Sequence, residues 1–94
     1  VGLHLLRIAQ EALTNAFRHA RARRVWLRVT YGPGTLQLSV RDDGQGFDPQ
    51  LLQEGGFGLV SMRERSEHIG GRLQIDTRPG AGTEVTLTLA VAAE

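Results

Sequence analysis

Neither cysteine nor lysine occurs among the 94 residues, and methionine, tryptophan and tyrosine occur once each. Without cysteine there is no disulfide framework and no thiolate metal site, and a reducing compartment is the simple expectation. Without lysine there is no phosphate loop of the Walker type, which uses that residue to reach the phosphates. No apolar run approaches the ~18 residues that cross a bilayer, and no signal-peptide pattern precedes the first helical stretch. An excess of one charge is missing too. Eleven arginines against ten acidic residues leave +1, too balanced for a general nucleic-acid binder. The one basic concentration, Arg18, Arg21, Arg23 and Arg24, reads as a solvated helix end whose cations suit the C-terminal dipole, with Arg18 set apart. At this length residues 1–94 make one domain with a compact core. The chain opens almost directly in a helical pattern with no cap of its own, as expected of a segment cut from a larger protein.

What is present is periodic. Projected at ~100° per residue, Leu3 to Ala20 gathers Leu5, Leu6, Ala9, Ala12, Leu13, Ala16, Phe17 and Ala20 on one broad arc, an amphipathic helix. Glu11, Asn15 and His19, spaced by four, fall along the border of that arc, where side chains look into a crevice beside the core. Val25, Leu27, Val29 and Tyr31 alternate with polar neighbours. After Gly32-Pro33-Gly34 the alternation resumes as Leu36, Leu38 and Val40, which predicts a hairpin. Leu73 and Ile75, a turn at Arg78-Pro79-Gly80-Ala81-Gly82, then Val85, Leu87, Leu89 and Val91 predict a second. Between the hairpins lie a glycine-rich loop from Gly44 to Gly56 and a helix with Leu59, Met62, Ser66 and Ile69 at helical spacing, ended by Gly70-Gly71. One-faced strands imply a sheet packed on helices on one side and wet on the other. The expected fold is α+β, a two-layer sandwich with a mainly antiparallel sheet under two helices.

The chemistry concentrates in Asp42-Asp43-Gly44-Gln45-Gly46-Phe47. In-phase counting places Asp42 on the face of Leu36, Leu38 and Val40, between sheet and helices, where an unpaired carboxylate is costly. Asp43 beside Gly44 accounts for a turn without help from Asp42, so Asp42 needs another role. Accepting a hydrogen bond from an exocyclic amine supplies one. Taken singly, Glu11, Asn15 and His19 read as the polar shoulder of a helix. Asn15 is nevertheless a mediocre helix-interior residue, and its amide oxygen suits Mg²⁺, which takes phosphate oxygens as further ligands. Glu11, one turn earlier, is placed to orient or deprotonate the acceptor of a phosphoryl group. A metal site from His4, His19 and His68 is set aside because the three belong to distant segments without tight ligand spacing. Gly56-Phe57-Gly58 lacks the preceding strand, and Ser61 occupies the third glycine position, so it is no dinucleotide fingerprint. It reads instead as a glycine hinge running into a helix N-terminus that suits polyphosphate.

In order and spacing, Arg7 to Ala20, Asp42 to Phe47, Gly56 to Arg65 and Gly82 to Val85 resemble the asparagine box and three glycine boxes of the ATP-binding domain of sensor histidine kinases. That domain shares its Bergerat-type nucleotide fold with DNA gyrase, the Hsp90 chaperones and MutL. Gln10-Glu11-Ala12-Leu13-Thr14-Asn15 and Gly58-Leu59-Val60-Ser61-Met62-Arg63-Glu64-Arg65 are similar in wording to the nitrate/nitrite-sensor class. The resemblance implies ATP and Mg²⁺ as cofactors, with Asn15 on the metal, Glu11 as base or polarising residue, and Arg18 and His19 near the phosphates. It implies Asp42 on the adenine amine and Gly44 and Gly46 where the ring approaches. Gly56, Gly58 and Leu59 would form the lid and helix start, and Thr83 would support adenine through water or by bonding to Asp42. Arg18 stands where many relatives have lysine, which keeps the charge and changes the geometry. The lid is short and has no separate phenylalanine box.

The dimerisation domain with its phosphoacceptor histidine is absent from the chain, as is the strand that normally precedes the first helix, and His4 is not read as that acceptor. Implied partners are that dimerisation domain and a downstream response regulator, typically DNA-binding, with no direct nucleic-acid contact. The isolated domain is expected to be monomeric and the parent a homodimer. A cytoplasmic domain is implied, compatible with a parent anchored in the inner membrane. The rival on the same fold is an anti-sigma-factor-type serine kinase, a protein-binding regulator. A nucleotide-gated module like those of chaperones and mismatch-repair proteins is a further reading, against which the short lid and Met62-Arg63-Glu64-Arg65 speak.

Overall fold

The computed structural model describes residues 2–19, 21–46 and 59–90, with backbone only for Arg18, His19, Leu59 and Val60. Helix α1 (Gly2–Thr14) runs into a π-helical turn (Asn15–His19) and is followed by strands β1 (Val25–Gly32) and β2 (Thr35–Asp42). Helix α2 (Leu59–His68) then precedes β3 (Arg72–Thr77) and β4 (Thr83–Ala90). The strands form one sheet in the order β1-β2-β4-β3, every neighbouring pair antiparallel. Both predicted hairpins are present, each strand reaching a residue or so beyond its predicted run, and Val91 lies outside the described residues. Leu36, Leu38 and Val40 of β2 and Val85, Leu87 and Leu89 of β4 point to one side, where Ile8 and Ala12 of α1 and Met62 of α2 close the core. The result is the expected two-layer α+β sandwich.

Local chemistry explains where α2 stops. Gly70 takes φ 71°, its N–H bonds to the Glu67 carbonyl at 3.0 Å, and the Gly71 N–H reaches the Ser66 carbonyl at 2.8 Å. These are the paired bonds of a glycine-terminated helix. A Cβ on Gly71 would stand 2.8 Å from methyl carbons of both Leu87 and Leu89. The pair Gly70-Gly71 therefore ends the helix and also lets its last turn approach the sheet.

Three departures from the sequence reading have physical causes. The arc projected for α1 is rotated: Ile8, Ala12 and Ala16 are buried, whereas Leu6 and Phe17 are exposed. The helix packs down onto β2 and sideways onto α2, so its buried stripe is centred nearer Ile8. Secondly, the α-helical hydrogen-bond register ends at Thr14 and widens into a π turn, a local feature often found at functional sites. Arg21, with φ 52°, and the 2.9 Å bond from the Ala22 N–H to the Ala16 carbonyl close this end. Thirdly, β1 is not one-faced in its burial. Leu27, Val29 and Tyr31 pair in register with Val40, Leu38 and Leu36 on the helix side of the sheet, yet all three are exposed. The described helices lie over β2 and β3 and leave that side of β1 open.

Candidate nucleotide site

Asp42 ends β2 as the alternation requires, on the helix side and only 6 % exposed. It belongs to a row running across all four strands at one end of the sheet: Val25 opposite Asp42, Asp42 opposite Thr83, Thr83 opposite Thr77. Its Oδ1 accepts the Gly44 N–H at 2.8 Å. Burial raises the Asp42 pKa above the ordinary carboxylate value, while the backbone N–H groups of Gly44 and Thr83 draw it the other way. A carboxylate in this state is poised for a further donor, because each added hydrogen bond to the charged form recovers part of the desolvation cost.

Asp43 does something different from the turn-making assigned to it. Its Oδ1 accepts the N–H groups of Arg23 and Arg24 at 2.9 Å each, and its own N–H donates to the Arg24 carbonyl at 3.3 Å. These bonds, led by that of Arg24, hold its pKa below the ordinary value. Asp43 thus ties the chain entering β1 to the end of β2, and the turn bond to Gly44 belongs to Asp42. The reason is alternation: Asp42 faces inward beneath the turn and Asp43 outward.

Thr83 is buried, and its hydroxyl lies 2.9 Å from that of Thr77. Thr77 was not singled out in the sequence, although it closes the β3 alternation beside the Arg78-Pro79-Gly80 turn. Gly46 has φ 66°, and a Cβ there would meet the Arg78 carbonyl oxygen at 2.0 Å. Gly82 has φ 78°, and its Cβ would fall 2.3 Å from the Asp42 carbonyl oxygen. The Gly80 N–H donates to the Gln45 carbonyl. Both glycines are thus required by the approach of another stretch of backbone, with positive φ that L side chains resist. A cleft of about 500 Å³ opens at this end of the sheet, lined by Asp42, Thr77 and Thr83 of the helix side and also by Arg41, Asp76 and Glu84 of the opposite face, within the volume range of small-ligand sites.

On α1 and its π turn, Glu11 is half-buried and Asn15 is 8 % exposed, at the first position of the widened turn. The side chains of Arg18 and His19, and both Gly56 and Gly58, lie outside the described residues, and Leu59 is the first residue of α2. Of the three histidines, which the sequence places in distant segments, two stand side by side. The His4 and His68 rings stand 5.0 Å apart across the α1–α2 contact, because packing of the two helices overrides their separation in sequence. No group of three metal-ligating side chains forms among the described residues.

If Asn15 supplies a metal oxygen ligand, Asn15→Ala should remove the Mg²⁺ enhancement of ATP binding and leave metal-free adenosine binding nearly unchanged. Paired calorimetric titrations with and without chelator measure both. Full Mg²⁺ dependence in the variant would remove Asn15 from the metal.

The chain has relatives in sequence and in fold. The chain is 36 % identical to the signal transduction histidine-protein kinase/phosphatase DegS of Brevibacillus brevis, over 100 % of its own length and 24 % of that protein's. It is 35 % identical to the nitrate/nitrite sensor protein NarX of Escherichia coli K12, over 92 % of the chain and 14 % of NarX. The chain therefore spans a quarter or less of these curated relatives. The histidine kinase domain of the blue-light activated histidine kinase of Erythrobacter litoralis EL346 superposes with a TM-score of 0.80 at 30 % identity, covering 93 % of this chain and 43 % of that one. The ATP binding domain of PrrB from Mycobacterium tuberculosis superposes at 0.82 with 22 % identity, over 97 % and 69 %, and supports the fold alone. Since the family model for the histidine kinase-, DNA gyrase B-, and HSP90-like ATPases also matches residues 1–93, the chain belongs to that ATPase family.

Proposed function

We propose that the chain is the catalytic, ATP-binding domain of a two-component sensor histidine kinase, moving the γ-phosphoryl of Mg-ATP to a histidine on a separate dimerisation domain. The observation that carries the reading is Asp42, an inward carboxylate at the end of a buried row, with the neighbouring backbone brought close by Gly46 and Gly82. In this reading Asp42 accepts from the adenine amine and thereby selects against a 6-oxo purine, while Thr83, steadied by Thr77, backs it. Gly44 and Gly46 flank the ring. Asn15 offers an oxygen to Mg²⁺, which when bound neutralises phosphate charge. Arg18 and His19 approach the phosphates, and Gly56, Gly58 and Leu59 lead from the lid into α2.

The acceptor imidazole nitrogen attacks the γ-phosphorus, the bond to the β–γ bridging oxygen breaks, and ADP departs with the bond's electron pair. Glu11 polarises the acceptor or takes the proton that it loses. Catalysis in such a site is mostly positioning and electrostatic stabilisation. The domain is read as cytoplasmic, and its phosphorylated partner as the donor to a response regulator. Among the described residues no helix is long and apolar enough to cross a membrane.

The test is transfer in trans. The isolated chain should bind ATP and show negligible self-labelling with γ-labelled nucleotide. Added dimerisation domain of the parent kinase should become labelled on histidine, so that the label is lost in acid and kept in base. Robust self-labelling, or an acid-stable product on the partner, would overturn the reading.

A further inference from the structure

His4 and His68 take no part in the nucleotide reading, yet their rings stand 5.0 Å apart, tilted by 48°, where α1 meets α2. Helical spacing prepares both sides of this meeting. His4 lies one turn before the buried Ile8 on α1, and Ser61, Glu64, Arg65 and His68 share one face of α2. Together these residues line a cavity of about 260 Å³. One atom beside it is unaccounted for. The Nδ1 of His4 is shut off from water and has no hydrogen-bond partner among the described residues. In a neutral imidazole each nitrogen is either a donor or an acceptor, so both tautomers leave this one wanting a partner, and a buried polar atom without one calls for a physical reason.

We propose that His4 and His68 together bind one divalent transition-metal ion of the zinc, nickel and copper class, each giving one imidazole nitrogen, with water in the remaining positions. The spacing of the rings is the one such an ion needs. Two imidazoles on one tetrahedral zinc, each nitrogen at ~2.0–2.1 Å, have their ring centroids ~5 Å apart. Nitrogen ligands select this class of metal over Mg²⁺ and Ca²⁺, which take oxygen. Glu64, one turn before His68, sets a carboxylate against the charge of Arg65 in the same cavity, so the local charge does not repel a cation. No third protein ligand is in place among the described residues, which makes the site a two-histidine clamp.

This clamp is separate from the position read for Mg²⁺. At 1.5 Å of rise per residue, His4 and Asn15 lie ~16 Å apart along the helix. A bound ion would tie the first turn of α1 to the last turn of α2, bracing the two helices that cover the sheet. The inference goes beyond the nucleotide reading and does not depend on it.

Calorimetric titration of the untagged 94-residue chain with Zn²⁺ alone, after treatment with chelator and in a non-coordinating buffer, should give a saturable 1:1 isotherm. Zinc should also raise the melting temperature, since an ion that binds only the folded state stabilises it. His68 is exposed, so His68→Ala should keep the metal-free melting temperature while weakening zinc binding tenfold or more. His4→Ala should weaken it as much. His19→Ala should leave zinc binding as it is, and so should acetylation of the terminal amine, which removes a competing nitrogen ligand. Electron paramagnetic resonance of one equivalent of Cu²⁺ should show two imidazole nitrogens in the wild type and one in His68→Ala, a readout that does not need His4→Ala to fold. Absence of saturable binding, a single coordinated imidazole in the wild type, or zinc affinity that survives His68→Ala would each overturn the proposal. So would zinc affinity lost with His19 or with the terminal amine.

Discussion

Asp42→Asn is expected to weaken ATP binding by about 10- to 150-fold, which corresponds to the ~1.5–3 kcal/mol of a hydrogen bond to a charged acceptor. The same substitution should raise the melting temperature of the ligand-free protein at neutral pH. Burial holds the folded-state pKa of Asp42 above its ordinary value. For a carboxyl shifted this way the folded state favours the proton. Its charged form costs no stability below the unfolded pKa, costs progressively more as pH rises between the two values, and costs the full amount above the folded one. Asparagine removes that cost and the acceptor charge together. Subtracting the variant's stability profile between pH 3 and 7 from the wild-type profile isolates this contribution from that of Asp43, whose pKa is shifted downward. Calorimetry should also show GTP binding much more weakly than ATP to the wild type. Equal affinities for the two nucleotides, or a folded Asp42→Asn protein that binds ATP normally, would take Asp42 out of the adenine site.

Glu11→Gln should slow phosphoryl transfer to the dimerisation domain by ~10²–10⁴, the range for loss of a general base, with ATP affinity changed by no more than about threefold. A base acts in the transition state, so its loss is seen in the rate of the chemical step and not in ground-state binding. Single-turnover transfer with saturating ATP reads the first quantity and equilibrium titration the second. Parallel losses in both would recast Glu11 as a binding residue, and an unchanged transfer rate would remove it from the chemistry.

Both arguments begin from residues whose direction is legible in the sequence: helical spacing puts Glu11 one turn before Asn15 on the border of the apolar arc, and period-two alternation fixes which way a strand residue points. That is how Leu36, Leu38 and Val40 carry Asp42 to the inside, and how Gly70-Gly71 could be read as the end of α2. The parts that escaped the sequence are those decided between segments. Nothing local in Leu27, Val29 and Tyr31 tells that the helices stop short of β1. The widened turn at Asn15 depends on how the end of α1 meets the chain at Ala22. His4 and His68 meet only because two helices pack side by side. Gly46 reads from its neighbours as a place for a ring to approach, and nothing local tells that the Arg78 carbonyl also lies against it. Thr77 has no motif of its own and acquires its place from Thr83.

The latch of Gln45 and Gly46 onto the turn after β3 bears on how the protein can be divided. The Asp42 carboxylate sits in the first hairpin, and Gly82 and Thr83, whose backbone closes on it, sit in the second. On the proposed reading, a chain still emerging from the ribosome possesses Asp42, Gly44 and Gly46 in full and yet has no finished adenine pocket until Gly82 and Thr83 have been synthesised and docked. Recognition on that reading waits for the last hairpin, and a cut placed between the hairpins would divide the proposed site between two fragments.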